Sequence, residues 1–261
     1  LELAGVAIGA EPLALAGSSA LRATGTAGSS GAVTLTADAT VTVAGAADVL
    51  RLDGAIGGAH ELAKAGAGTL VLGGVNAHRL TRIAAGTLRA AVAALPGDVL
   101  DDGLLILDQA ADASWGGVVS GGGEVRKEGT GTLVLTGAST FTGSTTVAAG
   151  TLRAAAPVVA GVPGPCGAGS GAIILAGGGI EVATATFSRP LIATASGVRL
   201  DAWGAARTVA APIAGAGSIV LGGDPVVGAG GQELTLAGTI SDGAGVTGLA
   251  KQGGSTLILA G

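Results

Sequence analysis

The sequence predicts an all-β fold, a right-handed parallel β-helix. Three observations favour it: a long internal repeat, short strand motifs at regular spacing, and a glycine-rich composition with few charges. The repeat is the most informative, because a fixed period of tens of residues indicates an architecture of stacked units. Each unit of such a solenoid buries its apolar face against its neighbours in the stack.

The internal repeat is a motif of short strands joined by glycine-rich turns. It reads KAGAGTLVLGGVNAHRLTRIAAGTLRA over residues 64–90, KEGTGTLVLTGASTFTGSTTVAAGTLRA over residues 127–154, and KQGGSTLILAG from Lys251. β-Branched and aliphatic residues suit the strands, and Gly, Ser and Thr suit the links. Leu70, Leu133 and Leu257 share one motif position at intervals of 63 and 124 residues. The chain therefore repeats with a period near 62 residues.

A shorter regularity lies within this period. A Leu/Ile-x-Leu strand motif recurs thirteen times, about every 20 residues. Its central residues lie near Leu15, Leu35, Leu52, Leu72, Leu88, Leu107, Leu135, Leu152, Leu175, Leu200, Leu221, Leu236 and Leu259. We therefore expect about 13 coils of about 20 residues, stacked at ~4.8 Å into a rod of roughly 60 Å. The crossover preference of parallel strands predicts the right-handed sense.

Alternation within the strands predicts which side chains point inward. Leu133 and Leu135 are expected inside, above their equivalents in the next coil. The glycine before each Thr-Leu is expected at a corner that needs a positive φ or a close backbone approach. These glycines are Gly68, Gly86, Gly131 and Gly150.

Outside the strands, the sequence predicts one helix-like stretch and three loops. Residues 90–95 resemble a single helical turn, which Pro96 would end. Loops are expected at residues 96–102, 157–171 and 224–231. The second loop is expected to protrude or to shift the coil register.

The composition excludes several classes. Hydrophobic residues make up 48% of the 261 residues, charged residues 12% and aromatic residues 2%. A compact core of this size would use more aromatic bulk, and a disordered chain would carry more charge. Basic residues are scattered and the net charge is −5, which argues against a nucleic-acid groove. We interpret residues 1–261 as a single elongated domain, an excerpt of a longer protein, because the chain opens and stops in mid-pattern.

One cluster of acidic residues could carry chemistry. It consists of Asp98, Asp101, Asp102, Asp108 and Asp112. A metal site, or a polysaccharide-cleaving enzyme, would need these carboxylates to converge with a basic residue. The nearest basic residues, Arg126 and Lys127, lie roughly a coil away. Solvated turns beside a strand are the preferred interpretation, so no catalytic or metal residue is assigned.

The histidines and the cysteine form no recognisable catalytic set. His60 and His78 are far from Cys166 in sequence, and the Gly-x-Ser-x-Gly motif is absent. Nucleotide-binding and calcium-binding motifs are absent too, so no cofactor is predicted. Aligning the two full repeats places His78 at the ring position of Phe141, which predicts a packing role. Cys166 is expected to be a small residue in an exposed loop.

Two tryptophans could contact a partner. Trp115 and Trp203 each follow a strand motif, in Ser-Trp-Gly and Ala-Trp-Gly. An exposed indole can stack on a sugar or anchor a protein. A lid over the narrow interior, or a staple for a loop, is the simpler interpretation.

The repeat also carries a resemblance. The order Lys-x-Gly-x-Gly-Thr-Leu-x-Leu-x-Gly, then Ser/Asn-Thr-Phe-Thr-Gly-x-Thr-x-Val-x-x-Gly-Thr-Leu, resembles the passenger-associated strand repeat of bacterial autotransporters. The resemblance is closest over residues 118–154 and extends over residues 56–90 and 240–261. It implies a parallel β-helix at the surface of a Gram-negative bacterium or outside it. It also implies export through the outer membrane by a translocator barrel, which this chain lacks.

The function that the sequence favours is a structural stalk or surface-display segment with no catalysis. The first alternative is an adhesin that binds a host protein or glycan through side loops, Trp115 or Trp203. The second is a polysaccharide-acting β-helix enzyme. The two ends of the chain share a strand phase, so end-to-end self-association is also expected.

Overall fold

The computed structural model describes residues 1–210, 212–215, 219–223, 233–241, 249–252 and 256–260. Over these residues, the fold is an all-β parallel β-solenoid of about 11 turns. It divides into two compact units, one of Leu1–Asp108 with Gly117–Val125 and one of Gln109–Gly116 with Arg126–Gly261. In the part of the chain that is described, no helix is long and apolar enough to cross a membrane.

The first unit contains two parallel sheets and one short 3-10 helix, Val92–Ala94. One sheet has the strand order β1-β3-β5-β8-β10-β12-β15, with β7 paired to β5, and the other begins β2-β4-β6-β9-β11-β13. The strands are β1 (Glu2–Ala4), β2 (Ala7–Ile8), β3 (Leu13–Thr24), β4 (Thr26–Ser29), β5 (Val33–Val43), β6 (Val49–Leu52), β7 (Ile56–Gly57), β8 (Glu61–Ala65), β9 (Thr69–Leu72), β10 (Leu80–Ile83), β11 (Thr87–Ala90), β12 (Val99–Asp101), β13 (Leu104–Asp108) and β15 (Val119–Ser120).

The described residues of the second unit form three series of parallel strands, in the orders β14-β17-β19-β21-β23-β26-β29, β18-β20-β22-β25-β28 and β24-β27-β30. The boundary between the two units falls within strand β16 (Glu124–Glu128), between Val125 and Arg126. The other strands are β14 (Ala113–Trp115), β17 (Thr132–Leu135), β18 (Thr145–Val147), β19 (Thr151–Ala154), β20 (Ile173–Leu175), β21 (Gly179–Val182), β22 (Leu191–Ala193), β23 (Val198–Ala202), β24 (Arg207–Val209), β25 (Ile213–Gly215), β26 (Ile219–Gly223), β27 (Glu233–Leu236), β28 (Ile240–Ser241), β29 (Leu249–Gln252) and β30 (Thr256–Leu259).

Aliphatic side chains stack in register through the interior of the first unit. Leu50, Leu70, Leu88 and Leu105 pair in succession along β6, β9, β11 and β13, and all four are fully buried. Each buried leucine contributes roughly 1.5–3 kcal/mol relative to an exposed one. The repeated Gly-Thr-Leu of the sequence therefore builds a column along the stacking direction.

The second unit has the same kind of column. Leu133, Leu152, Ile180 and Leu200 pair in succession along β17, β19, β21 and β23 and are buried. Leu135 is buried as well, so the inward orientation of Leu133 and Leu135 is confirmed.

The number of turns is slightly smaller than the expected thirteen. Two pairs of the counted leucines lie on consecutive strands of one turn. Leu35 and Leu52 lie on β5 and β6, which pair with β8 and β9 of the following turn. Leu221 and Leu236 lie on β26 and β27, which pair with β29 and β30. A turn can carry the strand motif on more than one face, and spacing alone does not reveal this.

Corner glycines occupy the backbone positions that were expected of them. Gly86 has a φ of 71°, and L side chains rarely adopt that region. Gly131 instead lies against the preceding turn, where a Cβ atom would come within 2.4 Å of the Ala111 carbonyl carbon. Both alternatives given for these corners, a positive φ and a close approach, therefore occur.

The remaining expectations have mixed outcomes. The single helical turn near residues 90–95 is confirmed by the 3-10 helix. The loop expected at residues 96–102 is partly wrong, since β12 lies within it and pairs with β10 and β15. The loop at residues 224–231 lies outside the described residues. Handedness and a single elongated domain stay predictions.

Candidate functional site

The most distinctive polar feature of the first repeat is a buried lysine on β8. The Lys64 ammonium donates to the carbonyl oxygens of Ala65 at 2.9 Å, Gly66 at 2.7 Å and Ala85 at 3.0 Å. Ala65 and Gly66 follow Lys64 at the same corner, and Ala85 lies at the corner of the next turn. The side chain therefore joins two turns of the solenoid through their backbone.

The second repeat contains the same arrangement on β16. The Lys127 ammonium donates to the carbonyl oxygens of Glu128 at 2.6 Å, Gly129 at 2.7 Å and Ala149 at 3.3 Å. The side chain is fully buried. We call each set of one ammonium and three carbonyl oxygens a lysine cage.

The lysine cages account for a part of the motif that sequence reasoning left without a role. Corner carbonyls cannot all join the strand ladder, and a buried carbonyl without a partner costs about 1–3 kcal/mol. The ammonium gives each of its three carbonyls a donor, in addition to the Gln109 N–H at the Glu128 carbonyl, and burial lowers the pKa of Lys64 to about 8. The sequence did contain an indication of this role, because both full copies of the repeat place a lysine before the same two glycines, as Lys-x-Gly-x-Gly.

The acidic cluster is distributed over separate backbone contacts. Three of its carboxylates accept an N–H from the residue 20 positions later, so each one joins consecutive turns. The pairs are Asp98 with Val118 at 2.9 Å, Asp102 with Gly122 at 3.2 Å and Asp112 with Thr132 at 2.7 Å.

The other two acids of the cluster also have individual partners. Asp101 is buried and accepts hydrogen bonds from the N–H groups of Gly103, at 2.9 Å, and Leu105. Burial is the main reason that the pKa of Asp101 rises to about 6. Asp108 accepts from the Arg89 guanidinium at 2.7 Å. No three His, Cys, Asp or Glu residues among those described are grouped so that they could hold a metal ion.

His78 lies in the interior, in the loop between β9 and β10. It is 3% exposed, and its Nε2 lies 2.7 Å from the Thr81 hydroxyl. Burial lowers the pKa of His78 to about 4. Phe141 is equally buried in the second repeat, which agrees with the packing role predicted from the alignment.

Asn76 holds the same loop to the turns on either side. Its Oδ1 accepts the Ile56 N–H at 2.8 Å, and its Nδ2 donates to the Ala94 carbonyl at 2.7 Å. One amide side chain therefore satisfies backbone groups of two other turns.

The expectation of an exposed Cys166 is wrong. The residue is 1% exposed, and burial raises the pKa of its thiol to about 12. The cause is a segment that folds back onto the loop after β17. Gly164 N–H donates to the Ser139 carbonyl at 3.0 Å, and Ala168 N–H donates to the Phe141 carbonyl at 2.9 Å.

A buried arginine completes this packing. The Arg189 guanidinium donates to the carbonyl of Cys166 and, at 2.8 Å, to that of Gly171. The Cys166 carbonyl also accepts from the Thr145 hydroxyl at 2.9 Å. Like the lysines, Arg189 satisfies backbone carbonyls, and the sequence contains no repeat signal that would have marked it.

The two tryptophans have different environments. Trp115, on β14, is 8% exposed and pairs with Leu135 of β17. Trp203 is half-buried, and the Arg153 guanidinium lies 3.2 Å from the centre of its ring. Arg153 also donates to Glu181 at 2.6 Å. Trp115 thus offers little side-chain surface, Trp203 offers more, and a partner at either one stays a prediction.

Comparison with known proteins gives one family. A model of the passenger-associated-transport-repeat matches residues 62–90 and 125–154. These are the segments that contain the two lysine cages. No curated protein and no solved structure matches the chain.

Proposed function

We propose that this chain, an autotransporter passenger domain by its two matched repeats and its parallel β-solenoid, serves as a structural stalk or surface-display segment without catalysis. The repeat family favours secretion or display at the surface of a Gram-negative cell. The chain would then act by holding its shape between a membrane anchor and whatever is presented beyond it.

Hydrogen bonds from five charged side chains to the backbone are the observation that carries this proposal. Lys64 and Lys127 bind carbonyls of two turns each. Asp98, Asp102 and Asp112 each bind an N–H of the next turn. Groups engaged in this way stabilise turn stacking, which supports a structural role.

A display experiment tests the structural role. The chain is placed between an epitope and a heterologous surface anchor in a Gram-negative host, and the cells are treated with an external protease. A stalk predicts that the epitope stays attached and accessible to antibody, because a stacked solenoid offers few extended segments to the protease. A chain carrying both Lys64→Met and Lys127→Met is the control, and its epitope should be released faster. Rapid cleavage of the original chain would contradict the proposal.

An adhesin is the second candidate, and Trp203 is the observation that favours it. Its indole is partly accessible, and the Arg153 guanidinium packs against the ring. A rigid aromatic ring can stack on a sugar. The test is binding of the purified chain and of Trp203→Ala to panels of glycans and host-surface proteins. Binding that this substitution removes would favour the adhesin, and no binding would favour the stalk.

End-to-end self-association also stays a proposal. Sedimentation velocity at increasing concentration tests it, and a chain that stays monomeric at the highest concentration would contradict it.

A further inference from the structure

One position differs chemically between the two repeats while keeping the same place in the interior. His78 and Phe141 are both buried, and each lies in the loop that follows the Thr-Leu-Val-Leu strand of its repeat. The first repeat thus holds a titratable ring where the second holds a hydrocarbon ring. We call residues 73–79 the His78 loop.

The hydrogen bonds of His78 suit its neutral form only. Nε2 is paired with the Thr81 hydroxyl, whereas Nδ1 is buried and has no hydrogen-bond partner among the described residues. A protonated imidazole has an N–H at both nitrogens. A charged His78 would therefore bury a donor with no acceptor, which costs more than a neutral unpaired group.

Among the described residues, no charge contributes to the pKa of His78. The ionisable side chains of the loop and its adjoining turns include Arg79, His60 in the turn before and Asp98 in the turn after. Arg79 and His60 both lie near the Asp38 carboxylate, at 3.8 Å and 3.7 Å, and Asp98 accepts from the Val118 N–H. Burial is the only cause behind the lowered pKa of His78.

We propose that acid opens the first repeat locally at the His78 loop, whereas the second repeat stays closed because Phe141 takes the place of the histidine. Opening would let the imidazole reach water and bind a proton. It would also release Asn76 from the Ile56 N–H and the Ala94 carbonyl, so the contacts of this loop with both adjoining turns would be lost.

The direction of the effect follows from proton linkage. The pKa of His78 is about 4 when the loop is closed and about 6.5 when the ring is in water. The open state therefore binds more protons between these values, and the closed state loses stability as the pH falls from about 6.5 to about 4. Above this window the histidine is neutral in both states, and the loop stays closed.

Asp101 has the opposite effect on how the stability of the same unit depends on pH. Burial raises its pKa to about 6 from 3.8. Its contribution to stability is complete below the lower value and is lost as the pH rises through the higher one. This opposing term belongs to unfolding of the whole unit, so a local opening of the His78 loop, which leaves Asp101 buried, should not include it.

Hydrogen exchange of single amides tests the proposal. The readout is the protection factor of the Ile56 amide, which donates to Asn76, at pH 7 and pH 4.5, corrected for intrinsic exchange. Linkage between the two pKa values predicts a loss of protection of roughly 50-fold at pH 4.5. The Leu88 amide, in the stacked core of the same unit, should lose much less, because the opening is local.

Two substitutions taken from the chain itself complete the design. His78→Phe should abolish the acid-induced loss at Ile56, because the first repeat then has the ring of the second. Phe141→His should create a similar loss at the Ala168 amide, which donates to the carbonyl of residue 141. If Phe141→His does not fold, the result for His78→Phe decides alone. An unchanged loss in His78→Phe, or an equal loss at Ile56 and Leu88 in the original chain, would overturn the proposal.

Discussion

Buried charge in this protein is matched mainly to backbone groups. Lys64, Lys127 and Arg189 each donate to carbonyl oxygens, and the largest part of each side chain lies in the interior. Burying a charge without partners is costly, and hydrogen bonds to several carbonyls offset much of that cost. The polar groups of the interior therefore stabilise particular corners of particular turns.

The chemistry of Cys166 provides a test at this scale. Because its thiol is buried and its pKa is about 12, it should not react with a disulfide reagent at pH 8 in the folded protein. Unfolding in guanidinium should release one reactive thiol per chain. Arg189→Met, which leaves the Cys166 carbonyl with one donor fewer, should speed the native reaction. Fast labelling of the native chain would contradict the burial.

The roles of residues were predictable where a pattern repeats and uncertain where tertiary contacts determine whether a residue is buried. Alternation within a strand was enough to place Leu133 inside. No local signal marked Cys166 as buried, because its segment is rich in Pro and Gly and is buried only by contact with Ser139 and Phe141. The acidic cluster was predicted to lie in solvated turns, which is wrong for Asp101, buried on β12. The contacts of the cluster with the next turn required the register of the turns.

Stacking in register is the property that defines the elements. Most strands are only two to five residues long, and such segments are not stable alone. They become stable because each one pairs with the equivalent strand of the next turn and adds one apolar residue to a column. Thr-Leu-Val-Leu and Thr-Leu-Arg-Ala serve as interchangeable segments of this kind, as the pairing of β9 with β11 and of β17 with β19 illustrates.

A substitution in the middle of a column tests this account of the elements. Leu88→Ala removes a buried side chain between Leu70 and Leu105, and a cavity there should cost about 2–5 kcal/mol of unfolding free energy. Val75→Ala is the control, since Val75 is 75% exposed and should change the free energy by less than about 0.5 kcal/mol. Chemical denaturation measures both. Similar small effects would mean that the column is not a cooperative core.

At the scale of the whole molecule, each of the two units contains one of the two matched copies of the repeat. The one exception is Val125, which begins the second copy but belongs to the first unit. The fold class, the repeat and the passenger resemblance could be predicted from the sequence, because the 62-residue period and the Gly-Thr-Leu motif are preserved. The number of turns was overestimated, since one turn can carry two strand motifs. The sequence offered no reason to divide the chain near residue 109.

The lysine cages connect the proposed structural role to the fold, because each cage joins consecutive turns within a matched repeat. If the cages exist for stacking, removing the ammonium takes one donor from each of three corner carbonyls, although the Glu128 carbonyl keeps the Gln109 N–H. The cost should far exceed that of losing a surface charge. Arg82, exposed on β10 between the same turns, provides the matched comparison.

The most direct measurement is therefore the free energy of unfolding of Lys64→Met, Lys127→Met and Arg82→Met, obtained by chemical denaturation at pH 7. We expect each lysine substitution to lower it by about 2–4 kcal/mol and the arginine substitution to change it by less than about 0.5 kcal/mol. Lysine variants as stable as Arg82→Met would contradict the claim that the buried lysines of the repeat serve to hold the turns together.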